Sequence, residues 1–262
     1  MGSYTNDDIK DVKKLLILAI RAGSIMLENG AETYRVEDTI IRMCKSRKNI
    51  KYVEAFVTPT GIFVSLEYND EVMTYLKRIK TIKIDLNKID LINNFSRHFV
   101  SSNLSISQGV KELNKINNVN SYNTCTKILF GSVAAAFFSI LFGGTILDLF
   151  STFLVSIIVL VITTKLSDSS ITFFINNFCG AAIASILSIV FVKMGLGENI
   201  DKIIIGSIMT LVPGVSITNA IRDSMSGDFI SGLSRGMEAF VTALAIAFGV
   251  GLVLNIYSRG MF

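Results

Sequence analysis

Charge nearly disappears from this chain after Lys127, and that change limits the possible folds more than any other feature. Five blocks without Asp, Glu, Lys or Arg follow: Ile128–Leu147, Leu149–Thr164, Ser169–Val192, Ile203–Ile221 and Ala239–Ser258. A helix needs about 20 mostly apolar residues to cross a bilayer. Four blocks reach that length, and the shorter second one is flanked by Asp148 and Lys165, which can snorkel to the interface. Backbone polar groups in lipid must be satisfied within the segment, so the blocks should be helices. The expected fold is an α-helical polytopic membrane protein of about five transmembrane helices, preceded by an α+β domain. The expected division is residues 1–123 and 124–262.

The net charge of +4 is uneven: residues up to 127 carry +5 and the rest −1. A basic domain beside an anionic leaflet explains that excess. Nothing resembles a basic stripe with interleaved aromatics, so nucleic acid is not an expected partner. The N-terminus shows no short apolar segment with a small-residue cleavage site, so a removable leader is not expected. Cys44, Cys125 and Cys179 have neither pairing nor metal-site spacing and read as small buried hydrophobes. No metal and no cofactor are expected. The short loops split their Lys and Arg three against three between the two sides. Orientation therefore rests on the basic stretch through Lys111, Lys115 and Lys127, which places the N-terminal domain in the cytosol and the protein in the plasma membrane.

Within the N-terminal domain, helical spacing of apolar residues predicts a helix over Asn6–Glu28, with Asn6 as its cap, and a second over Glu32–Arg47. β-rich runs at Tyr52–Thr58 and Ile62–Tyr68 flank Thr-Pro-Thr-Gly and predict a hairpin. A third strand is expected at Ile79–Ile84, and helices at Lys88–Ser101 and Ser107–Ile116. In the membrane half, small residues recur every four positions at Gly131, Ala135, Ser139 and Gly143; at Gly180, Ala184 and Ser188; and at Ala243, Ala247 and Gly251. Such stripes let helices approach closely. The odd number of spans also suggests a bundle completed by other chains, including copies of this one.

Two segments carry possible chemistry. Pro213 falls inside the fourth block, where it should free the carbonyl of Met209, and Gly214 adds flexibility. Asn219 and Asp223 then share a helical face, next to Arg222. Interrupted helices of this kind hold ions or carboxylates in transporters. Arg235 and Glu238, spaced i, i+3, can pair with each other, and Asp228 lies between the segments. Asn176 is a weaker polar candidate within the third span. Ionisable groups at membrane depth are costly and point to function, although a purely structural charge network is the bland alternative. The other segment is Gly30–Glu37, with Glu32, Arg35 and Glu37. Thr33 followed by Glu37 does not fit capping-box spacing, so the cluster is either functional or a solvated charge run.

These segments together resemble the threonine/serine exporter (ThrE-type) family. The resemblance lies in GAETYRVE at 30–37, VTPTGIFVS at 57–65 and the run from Pro213 to Arg235, and it covers nearly the whole chain. It implies a secondary transporter subunit that exports threonine, serine or a dicarboxylate such as succinate. The length favours the family's short, split form, similar to YjjP, working with a smaller YjjB-like membrane subunit. On this reading Arg222 or Arg235 meets a substrate carboxylate, and Asp223 or Glu238 exchanges a proton. The rival class is a regulatory or scaffold subunit that does not transport. An enzyme is not expected: the membrane half holds no histidine, and Ser226-Gly227-Asp228 lies in a polar connection. No phosphate-binding GxxxxGK[ST] run occurs, so export should draw on an ion or substrate gradient.

Overall fold

The computed structural model describes residues 6–47, 50–102, 104–168 and 172–260. They form two compact units that interleave along the chain. The first combines the N-terminal residues up to Ser121 with Val215–Gly236, and the second holds Tyr122–Gly214 and Met237–Phe262. The sequence places one boundary at 123/124, whereas residues 215–236 are built into the N-terminal unit.

The first unit is centred on α1 (Asn6–Glu28), which is buried around most of its circumference. Its proposed cap, Asn6, lies outside the described side chains. Leu15, Leu18, Ala19, Ala22, Met26 and Leu27 are all essentially inaccessible. At Gly23, a Cβ would lie 2.6 Å from Ile40 Cδ1, so α1 and α2 (Thr33–Lys45) meet at van der Waals contact there. Cys44 is sealed in the same core, and burial pushes its thiol up to about 12. The other expected buried cysteine outside the membrane blocks, Cys125, is exposed instead.

A three-stranded antiparallel sheet, β1 (Ile50–Thr58), β2 (Gly61–Tyr68) and β3 (Glu71–Arg78), packs beside these helices in the order β1-β2-β3. The expected hairpin is present, but the third strand is not at Ile79–Ile84. Asn69 and Asp70 both adopt positive φ, 52° and 61°, the geometry of a two-residue hairpin turn, so pairing resumes at once at Glu71. Residues 79–84 are not a strand; Lys83 and Asp85 donate their N–H groups back to the carbonyls of Glu28 and Asn29. Helices α3 (Leu86–Ser101) and α4 (Ile106–Asn117) complete the core, the latter opened by a Ser105/Gln108 capping box.

The second unit holds α5 (Thr124–Leu141), α6 (Ile146–Asp168), α7 (Phe173–Lys193) and α8 (Ile200–Ile208), and most of α10 (Phe229–Ser258). Among the described residues four helices are long and apolar enough to cross a membrane. A fifth span results if α8, the 3-10 turn Met209–Leu211 and α9 (Gly214–Met225) act as one interrupted crossing. The first block, read as continuous to Leu147, is cut at Gly143. That glycine takes φ +87° beyond the end of α5, so it belongs to the cap and not to the small-residue stripe. Ala135 and Ser139 are buried, and a Cβ on Gly206 of α8 would lie about 3.0 Å from both. The stripe Ala243, Ala247 and Gly251 faces outward, with open space around Gly251. The face of α10 within this unit instead uses Gly249, whose Cβ would meet the Phe178 carbonyl at 2.5 Å.

Asp148 does not snorkel. It is wholly buried at the start of α6, where its oxygens accept from the backbone N–H groups of Thr145, Glu198 and Asn199 at 2.9, 2.8 and 3.0 Å. The Asn199 side-chain amide adds a fourth bond of 2.8 Å. A carboxylate with four N–H donors stays charged without a cation, and here it ties the loop before α6 to the loop before α8.

Candidate functional site

The polar groups singled out between 215 and 236 converge on the turn between α1 and α2. Gly30 makes that turn possible: its φ of +92° ends α1, while the N–H groups of Gly30 and Ala31 return to Leu27 and Met26. The carbonyls of Gly30 and Ala31 are thereby turned outward. Asn219 Nδ2 donates to the first at 2.9 Å and Arg235 Nη2 to the second at 2.8 Å. As expected, Asn219 and Asp223 share one face of α9, and both are buried.

Asp223 is the centre of the cluster. Its Oδ1 accepts from the Thr33 N–H at 3.2 Å and from Thr33 Oγ1 at 2.9 Å. Thr33 is the first residue of α2, whose N-cap, Glu32, provides no side-chain cap. Asp223 therefore caps α2 from a position 190 residues away, satisfying an otherwise unpaired N–H and placing negative charge at the positive end of the helix. This explains why the local sequence lacks a capping box. Its Oδ2 lies 3.1 Å from Arg235 Nε, with both side chains almost fully enclosed. Arg235 thus turns to Asp223, whereas Glu238, its expected partner, is exposed in the second unit.

The charges at 32–37 are not a solvated run. Glu32 is 5% exposed and accepts from Arg35 at 3.2 Å and from Arg222. Burial alone would raise its carboxyl, but its own backbone N–H and the two guanidiniums outweigh that and hold it below its ordinary value. Glu37 accepts the Val57 N–H at 2.8 Å, on the outer edge of β1, and Ser231 reaches the Val57 carbonyl. Burial raises the Glu37 carboxyl to about 6; the Val57 bond opposes this, while Asp228 and Asp223 reinforce it.

Thr33 Oγ1 also lies 3.3 Å from Asp228 Oδ2. A hydroxyl has one hydrogen, so it cannot donate fully to Asp223 and Asp228 together. The cluster holds four carboxylates, Glu32, Glu37, Asp223 and Asp228, against three guanidiniums, Arg35, Arg222 and Arg235. Its charge balance therefore leaves room for one proton.

The remaining candidates lie elsewhere. Pro213, Gly214, Asn176 and Glu238 belong to the second unit. The Met209 carbonyl is not freed by Pro213, because the chain tightens into a 3-10 turn and the Val212 N–H donates to it at 3.3 Å. Asn176 Oδ1 is buried without a hydrogen-bond partner. Sequence reasoning missed Thr33, the carbonyls of Gly30 and Ala31, and the Val57 N–H. The absent capping box was the one available sign that Thr33 is engaged by a distant group.

The family model described as "Putative threonine/serine exporter" matches residues 17–257, which includes both halves of this cluster. The chain belongs to the threonine/serine exporter family. It is 20% identical, over 97% of its own length, to the Mycobacterium tuberculosis protein named "Probable threonine/serine exporter", and it spans 48% of that relative. It is 22% identical to the Klebsiella aerogenes "Probable succinate transporter subunit YjjP", covering 95% of this chain and 96% of that one. No solved structure matches the chain. Family membership and the apolar helices make it a membrane protein, and the threonine/serine exporter family supplies the functional class in which the cluster has to be read.

Proposed function

We propose that the chain is a carrier subunit of a secondary exporter for small polar carboxylates: threonine and serine, or a dicarboxylate such as succinate. It resides in the plasma membrane with its N-terminal domain, residues 1–123, in the cytosol, and works with a smaller YjjB-like subunit. One observation carries the assignment. Of the two guanidiniums on the 215–236 segment, Arg235 is 5% exposed and committed to Asp223, whereas the Arg222 side chain is 55% exposed while paired with buried Glu32. An incoming carboxylate can replace Glu32 on Arg222 without first breaking the buried pair, and a planar guanidinium donates to any carboxylate in two-point geometry. The displaced Glu32 and the proton site at Asp223 would couple substrate arrival to rearrangement of the α2 terminus.

A second reading has its own support. Asn219, Asp223 and Arg235 all engage residues 30–33, as expected of a subunit whose cluster only fixes the 215–236 segment in place. Reconstitution in liposomes, alone and with the partner subunit, separates the two. The carrier reading expects efflux of threonine, serine or succinate that Arg222→Gln and Asp223→Asn each abolish while the complex still assembles. Unchanged flux in both variants would refute the site assignment and leave the scaffold.

A further inference from the structure

We infer that a cleft in the first unit, between α1, β3 and the end of α4, binds the zwitterion of a small α-amino acid as an effector. The cleft is about 250 Å³, below the usual range for drug-sized ligands. Arg21 and Glu28 stand seven residues apart on one face of α1. Lys77 and Tyr75 come from β3, on the same side of the strand as buried Met73. Asn117 closes the cleft from the end of α4, and Ile20 forms an apolar wall.

Three features select the ligand. Lys77 lies on the inward side of an edge strand, where an apolar residue is expected, so burial does not explain it. Arg21, Lys77 and Glu28 line one cavity, yet their side chains make no ion pair or hydrogen bond with one another or with any other described residue. The cavity therefore offers two cations and one anion, all unused. A carboxylate fits Arg21 and Lys77, and an ammonium fits Glu28. A dicarboxylate or phosphate would satisfy the cations but face repulsion from Glu28, and a simple amine would face the reverse. Only a molecule carrying both charges a few bonds apart uses all three, with Asn117 and the Tyr75 hydroxyl left for a small polar side chain. None of these residues belongs to the ion cluster, so the inference is independent of the carrier reading.

The test is equilibrium binding to the full chain in lipid nanodiscs, by titration calorimetry with L-threonine, L-serine, succinate and ethanolamine. The two amino acids should bind at least tenfold more tightly than succinate or ethanolamine. Arg21→Gln and Lys77→Gln should each weaken amino-acid binding at least tenfold, and Glu28→Gln should reverse the preference toward succinate. The unfolding midpoint of each variant checks folding, and Lys77→Gln, on an exposed edge strand, serves if a helix variant fails. The inference is overturned if no α-amino acid binds, if succinate binds as well as threonine, or if folded variants bind like the parent. It is equally overturned if Asp223→Asn removes the binding while Arg21→Gln spares it, because the ligand then sits in the ion cluster.

Discussion

Asp223 and Asp148 are both wholly buried aspartates, one in each compact unit, and they are stabilised in opposite ways. Asp148 is held by four N–H donors, three of them backbone, with no cation in its set. Asp223 has Thr33 on one oxygen and the Arg235 guanidinium on the other, with Glu37 and Asp228 among the carboxylates around it. Backbone donors cannot leave without local unfolding, so the Asp148 knot is a fixed staple. Side-chain ions can exchange partners, and a cluster with more carboxylates than guanidiniums can take up or release a proton. The contrast separates a carboxylate that holds a fold from one suited to a cycle.

The sharpest way to break this contrast is Asp223→Ala. It leaves Arg235 enclosed without its partner, which costs about 3–5 kcal/mol. We expect loss of most folded protein, read as recovery and unfolding midpoint in nanodiscs. Arg235→Ala should do the same, and the double variant should lose less than the sum. If Asp223→Ala is as stable as the parent, the pair carries little weight. Next in size, Asp148→Ala strands several buried donors and should cost about 3 kcal/mol. Its distinguishing outcome is kinetic: per folded molecule, transport should be unchanged, whereas Asp223→Asn should abolish it. A transport defect in folded Asp148→Ala would erase the distinction.

The same contrast shows what a sequence exposes. The apolar blocks, α1, the β1–β2 hairpin and the Asn219/Asp223 face follow from periodicities of 3.6 and 2 and could be read directly. Asp148 could not, because a charge between two apolar blocks looks like an interfacial residue, and its partners at 198 and 199 are some fifty residues away. Local spacing pairs Arg235 with Glu238, because i, i+3 is the only pairing local sequence offers. The turn at Gly30 instead presents carbonyls that Arg235 and Asn219 reach across about 200 residues. Individual candidates were legible; their partners were set by tertiary structure.

Glu37 sharpens the comparison through pH. Its carboxyl titrates near 6 in the fold against an ordinary 4.5, so between these values the folded protein keeps a proton that the unfolded chain has lost. The contribution of this carboxyl to folding stability is therefore fully present below about 4.5 and is lost as pH rises through 6, by up to about 2 kcal/mol. Glu37→Gln should flatten that part of the stability profile, measured as unfolding midpoint from pH 4 to 7.5. An identical slope in the variant would assign the titration to another carboxyl.

The smallest effect belongs to Thr33. Its N–H is a backbone group and survives substitution, so Thr33→Val removes only the hydroxyl bond to Asp223 Oδ1 and the close approach to Asp228. Loss of one such bond to a charged acceptor in a buried site costs about 1–2 kcal/mol. The sign of the pH response carries more information. With the hydroxyl gone, the Asp223 carboxylate loses one of its donors, so its charged form is held less firmly. The pH at which flux is half-maximal should therefore move upward in Thr33→Val, while Thr33→Ser, which keeps the hydroxyl, restores the parent value. If Thr33→Val lowers stability without moving that pH, Thr33 does no more for Asp223 than the donors around Asp148 do for theirs, and the cluster is a second staple.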